Sequence, residues 1–71
     1  MFKELFTETV EKRLKIQGYP VWISYMPPKG YIAIGKSPEI KNVISKQYFD
    51  TADEAIEHAT LEIEGFIDDN K

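Results

Sequence analysis

The first part of the chain carries apolar residues at helical spacing. Within residues 2–17 they fall three and four positions apart, which predicts one apolar face of a helix. These positions are Phe2, Leu5, Phe6, Val10 and Leu14. Gly18 follows where a left-handed residue commonly ends a helix. We therefore expect a first helix over residues 2–17.

The last part of the chain predicts a second helix with a marked beginning. Thr51 and Glu54 have the spacing of a capping box, in which each side chain accepts a hydrogen bond from a free backbone N–H. An apolar stripe at helical spacing follows: Ala52, Ala55, Ile56, Ala59, Ile63, Phe66 and Ile67. Small residues near the start of this stripe would let the helix lie close to a sheet.

Three strands are predicted between the helices. Residues 19–26 and 31–36 are rich in β-branched and aromatic residues, and the Pro-Pro-Lys-Gly stretch between them predicts a turn. Pro20 indicates either an edge strand or a strand opening, and residues 42–49 are expected to form the third strand. The order α-β-β-β-α predicts one α+β domain over residues 1–71, a three-stranded antiparallel sheet with two helices packed on one face.

Composition narrows the class of protein. The 71 residues include no cysteine, which excludes disulfides and thiolate metal sites and is usual in cytosolic proteins. No apolar run is long enough to span a bilayer, and the N-terminus lacks the features of a signal peptide. We expect a cytoplasmic protein that does not associate with membranes.

Charge is distributed unevenly along the chain, whose net charge is −3. Residues 1–49 contain eight Lys or Arg and four Glu, whereas residues 50–71 contain eight Asp or Glu and one Lys. The acidic last helix is either a solvated face or a docking surface for a basic protein partner. Both interpretations stay open at this point.

The sequence offers little for catalysis. His58 is the one histidine, so neither a metal site nor a nucleophile with a tuned base can be assembled around it. The carboxylates fall mostly on the exposed side of one predicted helix, whereas metal sites and paired acid catalysts need carboxylates that converge on a cleft. We predict no catalytic residue, metal or cofactor, and a protein that is not an enzyme.

Two surfaces are candidates for partner binding. Leu61 is out of phase with the apolar stripe, and a glycine in the middle of a helix, at a cost of about 1 kcal/mol relative to alanine, suggests a packing reason. The candidate residues of this helix face are Glu57, His58, Leu61, Glu62, Glu64 and Gly65.

The second surface is the sheet face that the helices leave open. The aromatic residues Tyr19, Trp22, Tyr25, Tyr31 and Tyr48 are too many to fit beneath two helices. An open aromatic sheet face is commonly a homodimer interface. We therefore predict a homodimer through this face, with Trp22 and Tyr31 as its candidate residues.

Three stretches resemble the N-terminal domain of HicB-type antitoxins. They are YPVWI at residues 19–23, GYIA at 30–33 and DTADEAI at 50–56, followed by an acidic amphipathic helix, so that the resemblance covers residues 19–67. The family's Pro-Gly-Cys element is only loosely echoed by residues 37–40, and a helix such as 2–17 is unusual in it. The resemblance implies a partial HicB-like fold that binds a protein partner, a small basic toxin, and not DNA.

A nucleic-acid-linked role is the alternative. The order α-β-β-β-α is also that of the double-stranded-RNA-binding domain, but that domain grips phosphates with lysines at the start of its last helix, where this chain has Asp50, Asp53 and Glu54. The sequence therefore disfavours nucleic acid as a partner. The leading hypothesis is a non-enzymatic regulatory or inhibitory protein-binding module. The alternative is a double-stranded-RNA-binding-like fold or an acidic mimic of DNA.

Overall fold

The structure, a computed structural model, describes residues 9–70. Three strands, β1 (Thr9–Ile16), β2 (Tyr19–Met26) and β3 (Gly30–Gly35), form an antiparallel sheet in the order β1-β2-β3. One helix, α1 (Ala52–Asp69), packs across one face of this sheet. The predicted α+β class and the three-stranded antiparallel sheet are confirmed.

The hairpin of β2 and β3 is also confirmed. Register runs from Val21 opposite Gly35 to Met26 opposite Gly30, and the turn closes with the Lys29 N–H donating to the Met26 carbonyl at 2.8 Å. β2 is the central strand, and Pro20 is its second residue. Of the two interpretations of that proline, a strand opening is therefore the correct one.

The predicted first helix is wrong over residues 9–16, and its residues 2–8 lie outside the described part of the chain. β1 occupies these positions and pairs with β2 from Thr9 opposite Tyr25 to Ile16 opposite Tyr19. Gln17 and Gly18 both have positive φ, 53° and 85°, as a tight hairpin turn between twisted strands requires. The left-handed residue expected to end a helix ends a strand instead.

The predicted third strand over residues 42–49 is wrong as well. Residues 36–51, the β3–α1 connection, begin with successive turns, in which the Ile40 N–H donates to the Ser37 carbonyl and the Val43 N–H to the Ile40 carbonyl. Ile40 and Ile44 lie four residues apart and are both buried in the core. Only Phe49 pairs with the sheet, through two 2.8 Å backbone hydrogen bonds with Tyr31.

The core lies between the sheet and α1. Val21, Ile23 and Ala33 of the sheet meet Ala59 and Ile63 of the helix, all with at most 4% of their surface exposed. Small helix residues allow the close approach, as the pattern predicted. Burial of each large aliphatic side chain stabilises the fold by about 1.5–3 kcal/mol.

The capping box at the start of α1 is present. The Glu54 N–H donates to Thr51 Oγ1 at 3.2 Å, and the Thr51 N–H donates to Glu54 Oε1 at 3.3 Å. These bonds satisfy two of the backbone groups that a helix start leaves without an intrahelical partner. Over residues 9–70, no helix is both long and apolar enough to cross a membrane.

Replacing Thr51 by alanine is expected to lower the free energy of unfolding by about 1 kcal/mol, because it removes the acceptor of the Glu54 N–H. Chemical denaturation followed by circular dichroism measures the change. Thr60→Ala is the matched control, since the Thr60 hydroxyl donates to the Ile56 carbonyl within the helix and caps nothing. Equal losses in both variants would contradict a specific role for the cap.

Candidate partner-binding surface

The outer face of α1 carries an exposed leucine among acidic residues. Leu61 has 64% of its surface exposed, on the side of the helix away from the buried Ala55, Ala59 and Ile63. We call the six predicted residues of this face the Leu61 patch: Glu57, His58, Leu61, Glu62, Glu64 and Gly65. Residues three and four positions from Leu61 are its neighbours on the helix surface, so the structure brings these side chains together.

A groove lies beside the Leu61 patch, between α1 and the β3–α1 connection. Its volume is about 310 Å³. The lining residues are Val43, Leu61, Glu62, Gly65, Phe66 and Asp69. Three of them are apolar and two are acidic, so we call it the acidic groove. It offers room for an apolar side chain with a positive charge nearby.

Sequence reasoning missed three lining residues of this groove, Val43, Phe66 and Asp69. The apolar pattern assigns Phe66 to the core stripe, and Phe66 does pack against the core and, at 6.0 Å between ring centroids, against Tyr19. The same kind of pattern assigns Val43 to a strand that does not form. The position of Phe66 on the same helix as Leu61 is a weak signal that Phe66 lines the groove. No local pattern places Val43 beside α1.

Gly65 leaves the groove open without a packing reason inside the chain. A Cβ atom built at this position would meet no heavy atom within 4 Å outside the local helix backbone. The expectation that close packing explains this glycine is therefore wrong for the chain alone. An alanine would fit there and would favour the helix. Contacts within the chain therefore do not explain the glycine, and a steric reason for it would have to come from a molecule bound to this face.

His58 and Glu62 form the side of the Leu61 patch that touches the β3–α1 connection. The Ser45 Oγ donates to Glu62 Oε1 at 3.1 Å, and His58 Nε2 lies 3.4 Å from the Ser45 carbonyl oxygen. The His58 ring is also 5.2 Å from the Phe49 ring. His58 is half-buried, and its contacts with Ser45 and Phe49 hold the connection against the helix.

The acidic side chains of the face are not grouped as a metal site. Across residues 9–70, no three or more His, Asp or Glu side chains are grouped so that they could hold a metal ion. Glu57 and Glu64 are exposed to solvent. Their carboxylates can repel negatively charged groups and attract positively charged groups at a distance, as those of a docking surface would.

Trp22 and Tyr31 do not join the Leu61 patch. Tyr31 packs on the helix side of the sheet, with its ring 4.9 Å from that of Tyr25. Trp22 is half-buried on the opposite face, which we call the outer sheet face, where Arg13 and Lys36 lie 4.7 and 4.6 Å from its ring centroid.

The outer sheet face is less open and less aromatic than predicted. The register places Tyr19, Tyr25 and Tyr31 on the helix side, which leaves Trp22 as the aromatic residue of β2 and β3 on the outer face. Ser24 and Ile32 belong to the outer face but are buried, with 0% and 6% of their surface exposed. The homodimer through this face stays a prediction.

Comparisons with known proteins returned no family model, no curated protein and no solved structure that matches the chain.

Proposed function

We propose that this domain is a small, non-enzymatic, cytoplasmic protein-binding module, regulatory or inhibitory in the manner of a HicB-type antitoxin, and that it binds a basic protein partner through the Leu61 patch and the acidic groove. One observation carries the proposal: Leu61, 64% exposed, stands between acidic side chains and lines the acidic groove together with the apolar Val43 and Phe66. Burial of this exposed leucine side chain by a partner would be energetically favourable.

The energy available at this surface suits a binding site. Full burial of a leucine side chain is worth about 1.5–3 kcal/mol, and interfaces concentrate their affinity in apolar centres ringed by polar groups. Val43 and Phe66 extend the apolar centre on one side of Leu61. The apolar part would supply affinity, and the surrounding carboxylates would supply orientation and a faster encounter.

The charge of the surface indicates the charge of the partner. Residues 52–69 contain seven Asp or Glu and no Lys or Arg, so an acidic partner would be repelled over the whole length of α1. A partner with an apolar side chain flanked by Lys or Arg would fill the acidic groove and face Glu62 and Asp69. A small basic toxin has this chemistry.

The HicB resemblance supports the same proposal. Its three stretches fall on β2, on β3 and on the capped start of α1, which are adjacent elements of one layer pair. A shared arrangement of a hairpin and a crossing helix would present the outer face of that helix in the same way.

Replacing Leu61 by aspartate is expected to weaken binding of the partner by about 30-fold or more, because it removes the central apolar contact and adds a buried charge. The tagged chain is used to capture proteins from its native cells, and the captured basic protein is then purified and titrated by calorimetry. Leu61→Asp should leave the unfolding midpoint nearly unchanged, since the side chain makes few contacts in the free protein.

Charge reversal separates the acidic face from general electrostatics. The double variant Glu57→Lys/Glu64→Lys and the control Glu11→Lys/Glu39→Lys change the net charge equally, and all four residues are exposed. Only the first pair should weaken binding and lower the association rate. Equal effects in the two double variants, or full binding by Leu61→Asp, would refute the proposal.

A further inference from the structure

A cluster of cations surrounds the single tryptophan of the chain on the outer sheet face. Arg13 of β1 lies opposite Trp22 in the register, with its guanidinium carbon 4.7 Å from the ring centroid. The Lys36 ammonium lies 4.6 Å from the same centroid. Each contact of this kind is a favourable cation–π interaction, so the ring holds two positive charges beside it.

Lys36 continues this cluster into a groove at the edge of β3. The groove has a volume of about 530 Å³ and is formed by the end of β3 and the β3–α1 connection. We call it the basic groove; its lining residues are Ile34, Gly35, Lys36, Ser37, Pro38, Lys41, Asn42 and Lys46. Three lysines therefore meet there, and the described residues of the lining include no carboxylate.

A shallower depression lies on the other side of Trp22. Its volume is about 360 Å³, and it is lined by Arg13, Leu14, Lys15, Pro20 and Trp22. The described residues of its lining include no carboxylate either. Trp22 lines this depression, and Lys36 of the basic groove lies 4.6 Å from its ring centroid, so these two side chains connect the two depressions. We call the five cations of the two linings the basic strip: Arg13, Lys15, Lys36, Lys41 and Lys46.

Folding therefore separates the charges that the sequence only partly separates. Residues 9–49 carry seven Lys or Arg and two Glu, and five of these cations gather along the basic strip. α1 lies on the opposite side of the sheet from Arg13, Lys15 and Trp22, and no acidic residue of α1 lines either depression. The acidic helix start that disfavoured nucleic acid in the sequence is thus not part of this surface.

We propose that the basic strip binds single-stranded nucleic acid, with phosphates on the lysines and Arg13 and an unpaired base stacked on Trp22. A positively charged groove beside an aromatic side chain on a sheet is the arrangement by which sequence-tolerant single-strand binding works. A base that stacks on the indole displaces one of the two cations from the ring, and that cation becomes available to a phosphate. A duplex hides its base faces, and an acidic peptide brings carboxylates without a ring for Trp22.

Ser37 adds a hydrogen-bonding group to the basic groove. Its Oγ is buried and has no hydrogen-bond partner among the described residues. A buried hydroxyl without a partner is energetically unfavourable, and a phosphate oxygen would supply the missing acceptor. Ser37→Ala should therefore weaken binding without loss of stability, whereas a purely structural hydroxyl would show the reverse.

The single tryptophan makes the test direct, because Trp22 fluorescence reports the proposed stacking without a label. The full chain is titrated with fifteen-nucleotide oligo(dT), oligo(rU) and a mixed-sequence duplex at low salt. We expect quenching by both single strands and weaker binding of the duplex. The logarithm of the binding constant should fall with the logarithm of salt concentration with a slope of about −3 to −4, as expected for about five neutralised phosphates.

A matched pair of double variants locates the binding. Lys41→Gln/Lys46→Gln removes two cations of the basic groove and leaves the contacts of Trp22 intact, whereas Lys12→Gln/Lys29→Gln removes two exposed cations outside both depressions. The first should weaken binding of a labelled oligonucleotide about tenfold and reduce the salt slope by about 1.4. The second should change the affinity less than twofold.

Four results would overturn the proposal. The first is that neither single strand binds or changes the fluorescence at low salt, and the second is that the duplex binds more tightly than the single strands. The third is an equal loss of oligonucleotide affinity in the two double variants. The fourth is that poly-glutamate binds more tightly than oligo(dT). A difference between oligo(dT) and oligo(rU) assigns the strand to DNA or RNA. Leu61→Asp should bind oligonucleotides like the wild type, so this inference and the proposed function fail independently.

Discussion

Replacing Ile63 by alanine is expected to lower the free energy of unfolding by about 2–5 kcal/mol. Ile63 is 0% exposed and belongs to the core between α1 and the sheet, so the truncation removes buried methyl groups and leaves a cavity. A domain of this size has a total stability of only about 4–10 kcal/mol. The variant should therefore be partly unfolded in mild denaturant, as measured by guanidinium titration with circular dichroism.

Leu61→Ala is the matched control for this prediction. It removes a similar volume from the same helix two residues away, but from a side chain that is 64% exposed. Its effect on stability should stay within about 0.5 kcal/mol. Comparable losses in Ile63→Ala and Leu61→Ala would mean that α1 does not turn Ile63 inward and Leu61 outward.

Replacing Gly30 by alanine is expected to cost about 3–5 kcal/mol. Gly30 has φ of 118°, a conformation that costs a residue with a Cβ atom about 1–3 kcal/mol. The added Cβ would also collide with the Phe49 carbonyl oxygen. Relief of that collision would break the two hydrogen bonds between Tyr31 and Phe49, each worth about 1 kcal/mol.

Two other glycines separate these causes. Gly18 has φ of 85° but an open environment, so Gly18→Ala should show the conformational cost alone, about 1–2 kcal/mol. Gly65 has neither feature, and Gly65→Ala should stabilise the fold by about 1 kcal/mol. Denaturation midpoints that did not fall in the order Gly65→Ala, Gly18→Ala, Gly30→Ala would contradict the β3–Phe49 contact.

Stabilisation by Gly65→Ala also bears on function. A substitution that improves the helix while it weakens partner binding would show that the open floor of the acidic groove is used. The same substitution should leave oligonucleotide binding unchanged, because Gly65 lies on α1 and lines neither depression of the basic strip. Different substitutions can therefore test the two proposed surfaces separately.

The elements that the sequence predicted correctly are those with local signals. Thr51 and Glu54 begin α1 through bonds that span three residues, and the apolar stripe of α1 depends only on helical periodicity. The β2–β3 hairpin likewise follows from alternation on each side of a strong turn. Such signals do not need the rest of the chain.

The two wrong elements had patterns that fit more than one structure. Val10 and Leu14 lie four residues apart, as in a helix, whereas Leu14 and Ile16 alternate as in a strand. Seven residue pairs between β1 and β2, with an irregularity between Val10 and Lys12, decided between the two structures. In the β3–α1 connection, Ile40 and Ile44 enter the core from consecutive turns. No periodicity of apolar residues in the sequence predicts such an arrangement.

The candidate surfaces divide in the same way. The phase of Leu61 against the apolar stripe is enough to place the Leu61 patch on one helix face, because both lie on a single element. Val43 in the acidic groove, and the meeting of Arg13 with Lys36 over Trp22, join residues from separate elements. Those contacts depend on strand order and register, and the apolar spacing of the segment that holds Arg13 predicts a helix instead of a strand.

The sequence by itself determined the acidic amphipathic helix, its capped beginning and the exposed position of Leu61, because each follows from neighbours within a few turns of one chain segment. Only the tertiary structure decided that Thr9–Ile16 is a strand, that the β3–α1 connection forms one wall of a groove, and that five scattered cations line two depressions connected by Trp22 and Lys36. The physical reason is that a strand gains its hydrogen bonds, and a surface its charge, from residues distant in sequence.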